Sequence, residues 1–188
     1  MSTPAMMSRV LDSNPQNTCI STFTGIPFDV LRPDPLAFDR VDIAHALSTI
    51  SRFGGHVHFY SVAEHSMRVA TMLKDWDVAT PEVELLGLLH DASEAYLLDI
   101  PRPWKGKVYI GNKSYVEVED SIQDMLFEWV GISQAYADHW DIVKEADMEV
   151  YREEADARPS PSIMLMSPLD VRKEFLWRWD CLAQEISA

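Results

Sequence analysis

The sequence predicts an all-α domain of about six to seven helices with a short N-terminal β-hairpin. Apolar residues recur at helical spacing through most of the chain, helix-starting signatures precede these stretches, and proline and glycine residues separate them. The 188 residues suffice for one domain with a substantial core. We therefore predict a single domain over residues 1–188, with a polar, mobile N-terminal segment over residues 1–18.

A hairpin is predicted over residues 20–28, where β-branched and aromatic side chains surround a Thr-Gly turn. A first helix follows from Asp39, because apolar residues then recur at three-residue spacing. They are Val41, Ala44, Leu47 and Ile50. Ser61 and Glu64 form a capping box, in which the side chain of each residue accepts a hydrogen bond from the backbone N–H of the other. This box starts a second helix, which runs through about Leu73.

The third helix is predicted to begin at Thr80-Pro81, with threonine as the N-cap and proline at the first helical position. A leucine-rich run carries it through His90-Asp91 as far as Tyr96. Pro101 then breaks the chain. Because the pair His90-Asp91 falls late in this helix, we expect both side chains to emerge from a largely buried segment.

Three further helices complete the predicted domain. One covers roughly residues 113–130 and is ended by Gly131, and another covers roughly residues 134–154. The last begins at Ser167-Pro168 and carries a buried apolar stripe. The stripe consists of Phe175, Leu176, Trp179 and Leu182.

Composition excludes several classes of function. The formal net charge is −14 and the pI is near 4.7, so a long nucleic acid, whose phosphates require a basic surface, is a poor partner. Two cysteines, Cys19 and Cys181, form neither a disulfide framework nor a zinc finger. We find neither a signal peptide nor a transmembrane run. These features predict a cytoplasmic protein with no membrane partner.

A metal site is the strongest chemical expectation. His90 and Asp91 follow the apolar run 85–89, and an imidazole and a carboxylate buried there are costly unless something pairs with them. Asp147 lies in mid-helix, where aspartate is unfavourable, and His65 lies just inside the second helix. Two imidazoles and two carboxylates suit Co, Mn, Zn, Fe or Ni. The alternative is that each of the four is a structural residue.

The other histidines are interpreted mainly as structural. They are His45, His56, His58 and His139. His56 and His58 lie close enough to the predicted site in sequence that contact with a substrate stays open.

In this order, His65, His90-Asp91 and Asp147 resemble the H…HD…D signature of the HD-domain phosphohydrolases. The similarity extends over about residues 40–150, which we take as the core of the metal site, and includes four further segments. They are Ser51-Arg52-Phe53, Tyr60 to Ser66, Leu89 to Ala95 and Asp99 to Pro103. These resemble the subfamily of bacterial 5′-deoxynucleotidases and of small phage deoxynucleoside triphosphate hydrolases, such as dATP triphosphohydrolases. The resemblance implies an HD-domain helical bundle.

The resemblance also implies the roles of several side chains. Glu94 matches the acidic residue that positions the attacking water, and on a helix it would share a face with His90 and Asp91. Asp99 matches a second acidic position, for water or for the leaving group. Arg52 matches a phosphate-binding arginine. A solvated helix-end charge for Glu94 and a loop cap for Asp99 are the structural alternatives.

Further substrate contacts are predicted from position. Lys144 lies three residues before Asp147 and so on the same helix face, while Arg102 and Lys105 lie on the loop after the acidic pair. Several cations suit a polyphosphate. Phe53, beside two glycines, can stack on a purine, or alternatively be a core residue.

Together these features predict a dATP triphosphohydrolase that releases deoxynucleoside and triphosphate, with a divalent transition metal and a second divalent ion accompanying the triphosphate. The alternative is a 5′-deoxynucleotidase acting on monophosphates. Alarmone hydrolysis and a non-catalytic nucleotide-binding module are less favoured. The resemblance also implies a homo-oligomer, either a dimer or a hexamer, from a phage or a bacterium. The expected partner is a small-molecule nucleotide and not a polymeric nucleic acid.

Overall fold

The computed structural model describes residues 18–76, 80–160 and 166–188. Within these ranges the chain forms eight helices and two short antiparallel hairpins, so the predicted all-α class with an N-terminal hairpin is confirmed. Six of the helices have eight residues or more, and two have four. The predicted mobile segment lies, apart from Thr18, outside the described residues.

The N-terminal hairpin pairs β1 (Cys19–Ser21) with β2 (Pro27–Asp29), with Ile20 opposite Phe28. Helix α1 (Arg40–Thr49) follows, capped by Asp39, whose side chain accepts from two backbone N–H groups of the first turn. Both agree with the predicted positions. Only Phe28 of these strands is fully buried, so the hairpin contributes one anchor to the core.

Helices α2 (Val62–Asp75) and α3 (Pro81–Leu88) pack against each other at the centre of the domain. Their predicted caps are confirmed: Ser61 and Glu64 make both bonds of the capping box, and Thr80 caps α3. Gly87 lies at the contact, where a Cβ would come within 2.4 Å of a Leu73 methyl carbon. A glycine at this position therefore allows the two helices to approach closely.

The third helix ends earlier than the sequence predicts. It stops at Leu88, and His90-Asp91 lie in a turn before a separate one-turn helix, α4 (Glu94–Leu97). Another one-turn helix, α5 (Arg102–Lys105), occupies the proline-rich loop, and a second hairpin, β3 (Tyr109–Ile110) with β4 (Lys113–Ser114), precedes the next long helix. Neither α5 nor this hairpin was expected.

Three long helices complete the domain, and two of them pack on the central pair. Helix α6 (Tyr115–Val130) ends at Gly131, which has a left-handed φ of 86°, as expected of a glycine cap. Helix α7 (Ser133–Asp156) packs on α2 and α3, and α8 (Pro168–Ile186) packs on α1 and α3. Within the described ranges, every helix is too short or too polar to cross a membrane.

Candidate functional site

The four predicted metal donors come together although they belong to three separate segments. His65 projects from α2, His90 and Asp91 from the turn after α3, and Asp147 from the middle of α7. His65 Nε2 lies 3.1 Å from Asp147 Oδ1 and 3.8 Å from Asp91 Oδ2. His90 Nε2 lies 3.2 Å from Asp91 Oδ2 and 3.8 Å from Asp147 Oδ1.

His65, His90 and Asp147 offer ligand atoms that all lie within 4.8 Å of one another, so this group could hold a metal ion. Asp91 Oδ2 lies near both imidazoles and can add a fourth donor, the second oxygen of the set. The set combines nitrogen and oxygen ligands, as sites for transition metals commonly do.

Each imidazole is oriented by a hydrogen bond at its other nitrogen. His65 Nδ1 lies 2.8 Å from Glu154 Oε1, and His90 Nδ1 lies 2.8 Å from the Gly87 carbonyl oxygen. Because a carboxylate and a carbonyl can only accept, both Nδ1 atoms carry the proton in these bonds. The Nε2 atoms of His65 and His90 are therefore directed toward the carboxylates, which is how metal-ligating histidines are usually fixed.

The donor set fits a metal ion on two further grounds. His90 Nε2 is buried and makes no hydrogen bond among the described residues, which is uncommon for a polar atom unless something else binds it. Burial lowers the pKa of His90, but the charges of Asp91 and Asp147 outweigh burial and raise it to about 10. The two carboxylates thus favour a cation at this point, whether a proton or a metal ion.

A glutamine from a distant helix explains why His90-Asp91 lie in a turn. Gln123 of α6 accepts from the Ser93 N–H at 2.9 Å and donates to the Leu89 carbonyl at 2.9 Å. In a continuous helix these two backbone groups would bond to each other. The inserted amide replaces that bond, which corrects the expectation that His90, Asp91 and Glu94 share one helical face.

A cavity of about 270 Å³ opens beside the metal donors. Asp91 and Asp147 line it, and so do all the side chains predicted to act on a substrate. These are Glu94, Asp99, Arg52, Phe53, Arg102, Lys105 and Lys144. His56 and His58 are not among its lining residues, and His58 instead contacts Ser160.

The two acidic candidates are held in environments that favour their protonated forms. Burial, followed by the charges of Asp91 and Asp99, raises the pKa of Glu94 well above its ordinary value. Glu94 Oε1 lies 3.3 Å from Lys105 Nζ, whereas Oε2 is buried without a partner in the described part of the chain. Burial also raises the pKa of Asp99. A carboxylate with a raised pKa holds an accepted proton more firmly than an exposed one, which suits a role in proton transfer.

The four cations divide into two pairs. Arg52 and Lys105 are each held by two carboxylates: Arg52 by Glu154 at 3.3 Å and Asp91 at 3.6 Å. Lys105 Nζ lies 2.7 Å from Glu119, in addition to Glu94.

Lys144 and Arg102 are more open. Lys144 Nζ is 4.0 Å from Asp147 and lies over the Trp140 ring, and the side chain is 45% exposed. Among the described residues, the side chain of Arg102 makes one hydrogen bond, to the Met148 sulfur at 3.4 Å, and no ion pair. These two cations can therefore turn toward a bound anion at little cost.

One aromatic wall of the cavity is formed by Phe53 and Tyr151, whose ring centres are 6.0 Å apart at 24°. Phe53 has a left-handed φ of 56° and is followed by two glycines, also at positive φ. Tyr96 and Trp104, two aromatic residues near the site in sequence, do not line the cavity: Tyr96 stacks on Phe28, and Trp104 is exposed.

Two residues of this site were missed, and both follow Asp147 at helical spacing on α7. Tyr151 lies four residues later, and Glu154 lies seven residues later. Glu154 is fully buried and receives hydrogen bonds from Tyr60 at 2.7 Å, His65 at 2.8 Å and Arg52 at 3.3 Å. The i, i+4, i+7 spacing from a metal donor was a usable signal, but Glu154 reads in sequence like its exposed neighbour Glu153.

Comparison with known proteins identifies relatives over most of the chain. No protein-family model matches. The uncharacterized protein YfdR of Escherichia coli K12 is 36% identical over 116 residues, which cover 60% of this chain and 58% of YfdR, so the match spans little more than half of that relative's length. The uncharacterized protein RCAP_rcc00048 of Rhodobacter capsulatus is 30% identical over 189 residues, covering 87% of this chain and 95% of the relative. The chain therefore belongs to the same family as RCAP_rcc00048.

Proposed function

We propose that this chain is a metal-dependent phosphohydrolase of deoxynucleotides, of the HD-domain type. The observation that carries the proposal is the meeting of His65, His90, Asp91 and Asp147 at the edge of a cavity lined by both carboxylates and cations. A phosphate ester requires both, since its oxygens bind cationic donors while the attacking water needs a base.

His65, His90, Asp91 and Asp147 would hold a divalent transition metal, namely Mn, Co, Fe, Ni or Zn. When bound, such an ion polarises a phosphoryl oxygen and lowers the pKa of water. Glu154 supports the set from behind by fixing the ring of His65.

The chain's own residues supply binding and proton transfer. Lys144 and Arg102 bind phosphate oxygens from the open side, and Arg52 binds them from the wall of the cavity. Glu94, whose Oε2 has no partner in the described ranges, orients a water and accepts its proton as the new P–O bond forms. Asp99, with its raised pKa, protonates the departing nucleoside oxygen as the old bond breaks. Phe53 and Tyr151 offer faces to the base.

Charge balance and size favour a monophosphate over a triphosphate. The charges of Arg52 and Lys105 are already balanced by carboxylates, so only Lys144 and Arg102 bring positive charge to balance a substrate whose negative charge grows with every phosphate. The cavity, about 270 Å³, is slightly smaller than typical ligand pockets, which span ~300–1,000 Å³. A dNTP, the substrate that the number of cations suggests, needs a second divalent ion here, whereas a dNMP does not.

Product analysis tests the proposal. Protein loaded with Mn²⁺ or Co²⁺ is incubated with each dNMP, each dNTP and guanosine tetraphosphate, and the products are separated by chromatography. We expect deoxynucleoside with inorganic phosphate from a dNMP. Deoxynucleoside with triphosphate would identify the dNTP hydrolase instead. Release of pyrophosphate from guanosine tetraphosphate alone would identify an alarmone hydrolase.

Two variants on the same helix serve as a matched pair. Asp147→Ala should lose both metal and turnover, whereas Asp141→Ala, at an exposed position six residues earlier, should keep both. Metal-loaded wild-type protein that binds nucleotides without hydrolysing any of them would refute the enzyme and leave a non-catalytic module. Analytical ultracentrifugation of the same sample tests the expected homo-oligomer.

A further inference from the structure

Leu98 has a backbone conformation that is unusual for a residue with a side chain. Its φ is 72° and its ψ is 157°, a region populated almost only by glycine because a Cβ clashes there. The Leu98 side chain is 63% exposed, so burial of the leucine does not compensate for the backbone strain. Something else must hold this residue in place.

Two hydrogen bonds hold Leu98 from opposite sides. Its N–H donates to the Glu94 carbonyl at 2.8 Å, which closes α4, and its carbonyl accepts from the Tyr115 hydroxyl at 2.6 Å. Tyr115 is itself fixed: it is 1% exposed at the start of α6, and its N–H donates to the Val108 carbonyl at 2.9 Å. The hydroxyl therefore approaches Leu98 from a rigid position.

The residue after Leu98 is Asp99, which lines the cavity. Among the residues that the structure describes, the Asp99 carboxylate makes no hydrogen bond, although the nearby charges of Arg52, Asp91 and Lys105 affect its pKa. Its direction is therefore set by the backbone on either side. On the C-terminal side of Asp99, Pro101 restricts the residue before it, Ile100, to extended conformations. On the N-terminal side, the conformation of Leu98 determines the direction of the chain.

We propose that Tyr115 and Leu98 form a clamp that positions Asp99 toward the substrate cavity. Tyr115 is a positioning residue, acting through the Leu98 carbonyl without reaching the substrate, and the strain at Leu98 is maintained by the Tyr115 hydroxyl. The role assigned to Asp99 rests on the proposed function, whereas the clamp itself does not.

Thermal unfolding tests the clamp independently of any activity. Leu98→Gly should raise Tm by roughly 3 °C, because glycine adopts this conformation without strain. The same change made in the Tyr115→Phe background should leave Tm unchanged, because without the hydroxyl Leu98 is free to relax. As a control, Leu169→Gly, at another exposed leucine with ordinary backbone angles, should lower Tm.

Steady-state kinetics test the positioning. Tyr115→Phe should lower kcat about 10- to 100-fold with KM changed less than threefold, since a displacement of about 1 Å has effects of this size. In the Asp99→Asn background the same substitution should cause no additional loss of kcat. A purely structural role for Tyr115 would lower kcat equally in both backgrounds.

The outcomes separate the clamp from the proposed function. The clamp is overturned if Leu98→Gly raises Tm equally in the wild-type and Tyr115→Phe backgrounds, or if it raises Tm in neither. If Leu98→Gly raises Tm only in the presence of the Tyr115 hydroxyl, but Tyr115→Phe and Asp99→Asn lower kcat additively, the clamp exists and the positioning of Asp99 is overturned. Absence of hydrolysis in the wild-type protein overturns the proposed function and the role of Asp99, while the coupling of the two Tm values still decides whether the clamp exists.

Discussion

Replacing Glu154 with glutamine should weaken metal binding without altering a metal ligand. The Glu154 carboxylate is fully buried and accepts from three donors: Tyr60, His65 and Arg52. A glutamine of the same shape presents one oxygen and one NH₂ group, so at least one of these donors must face another donor. Because Tyr60 and His65 both bond to Oε1 and Arg52 bonds to Oε2, the glutamine oxygen can keep the first two donors while its NH₂ faces Arg52. His65 then has a neutral oxygen in place of a carboxylate, a weaker acceptor that directs its Nε2 toward the metal site less firmly.

The loss of charge adds a second effect. Arg52 lies between Glu154 at 3.3 Å and Asp91 at 3.6 Å. Without the negative charge of Glu154, Arg52 should move closer to Asp91 and compete with the metal for that carboxylate. Removing a partner behind a metal ligand typically weakens binding about 10- to 100-fold, which corresponds to about 1.4–2.7 kcal/mol.

Isothermal titration with Mn²⁺ or Zn²⁺ measures this change directly. Glu153→Gln is the matched control, because Glu153 is adjacent on α7 but half exposed, and its partner is Arg68 and not a predicted metal donor. We expect a change in Kd of less than about threefold there. Circular dichroism establishes that both variants are folded. Unchanged Kd in a folded Glu154→Gln protein, with binding abolished in Asp147→Ala, would show that Glu154 does not support the site.

Three further predictions concern the site and its scaffold. Chelation of a bound metal should lower Tm by roughly 5–10 °C at metal concentrations of about 100 Kd, as measured by calorimetry; equal Tm values with and without metal would argue against a folded-state site. Glu94→Gln should reduce turnover by on the order of 100-fold with the metal Kd unchanged, and unchanged turnover would remove Glu94 from the mechanism. Ser61→Ala should lower the free energy of unfolding by about 1 kcal/mol in urea titrations, since it removes the cap of α2, whereas the exposed Ser187→Ala should have a smaller effect.

Most of the helix starts could be predicted because their signals are local. Asp39, Ser61, Thr80 and Ser167 all act as N-caps at the expected positions, since a side-chain oxygen a few atoms from the backbone determines each start. The end of α3 could not be predicted in this way. Leu89 to Tyr96 contains no helix breaker, and the bond that interrupts the helix comes from Gln123, about thirty residues away.

The same distinction applies to the site. The donors His65, His90, Asp91 and Asp147 could be proposed because an ordered spacing of rare residue types carries information. The partners that hold functional side chains could not be identified in sequence: Glu119 pairs with Lys105 from another helix. A supporting carboxylate lies at no fixed sequence separation from the residue that it holds, so it can be identified only in the folded chain.

The glycine at position 87 has a consequence for how the two imidazoles are spaced. Helix α2 carries His65, and α3 leads, three residues beyond Gly87, to His90. At the crossing of these helices a hydrogen atom stands where any other residue would place a methyl group against Leu73. A wedge as small as one carbon would push the helices apart and widen the gap between the rings, so the distance between the two histidines is set at this crossing, where the Gly87 carbonyl also holds the ring of His90.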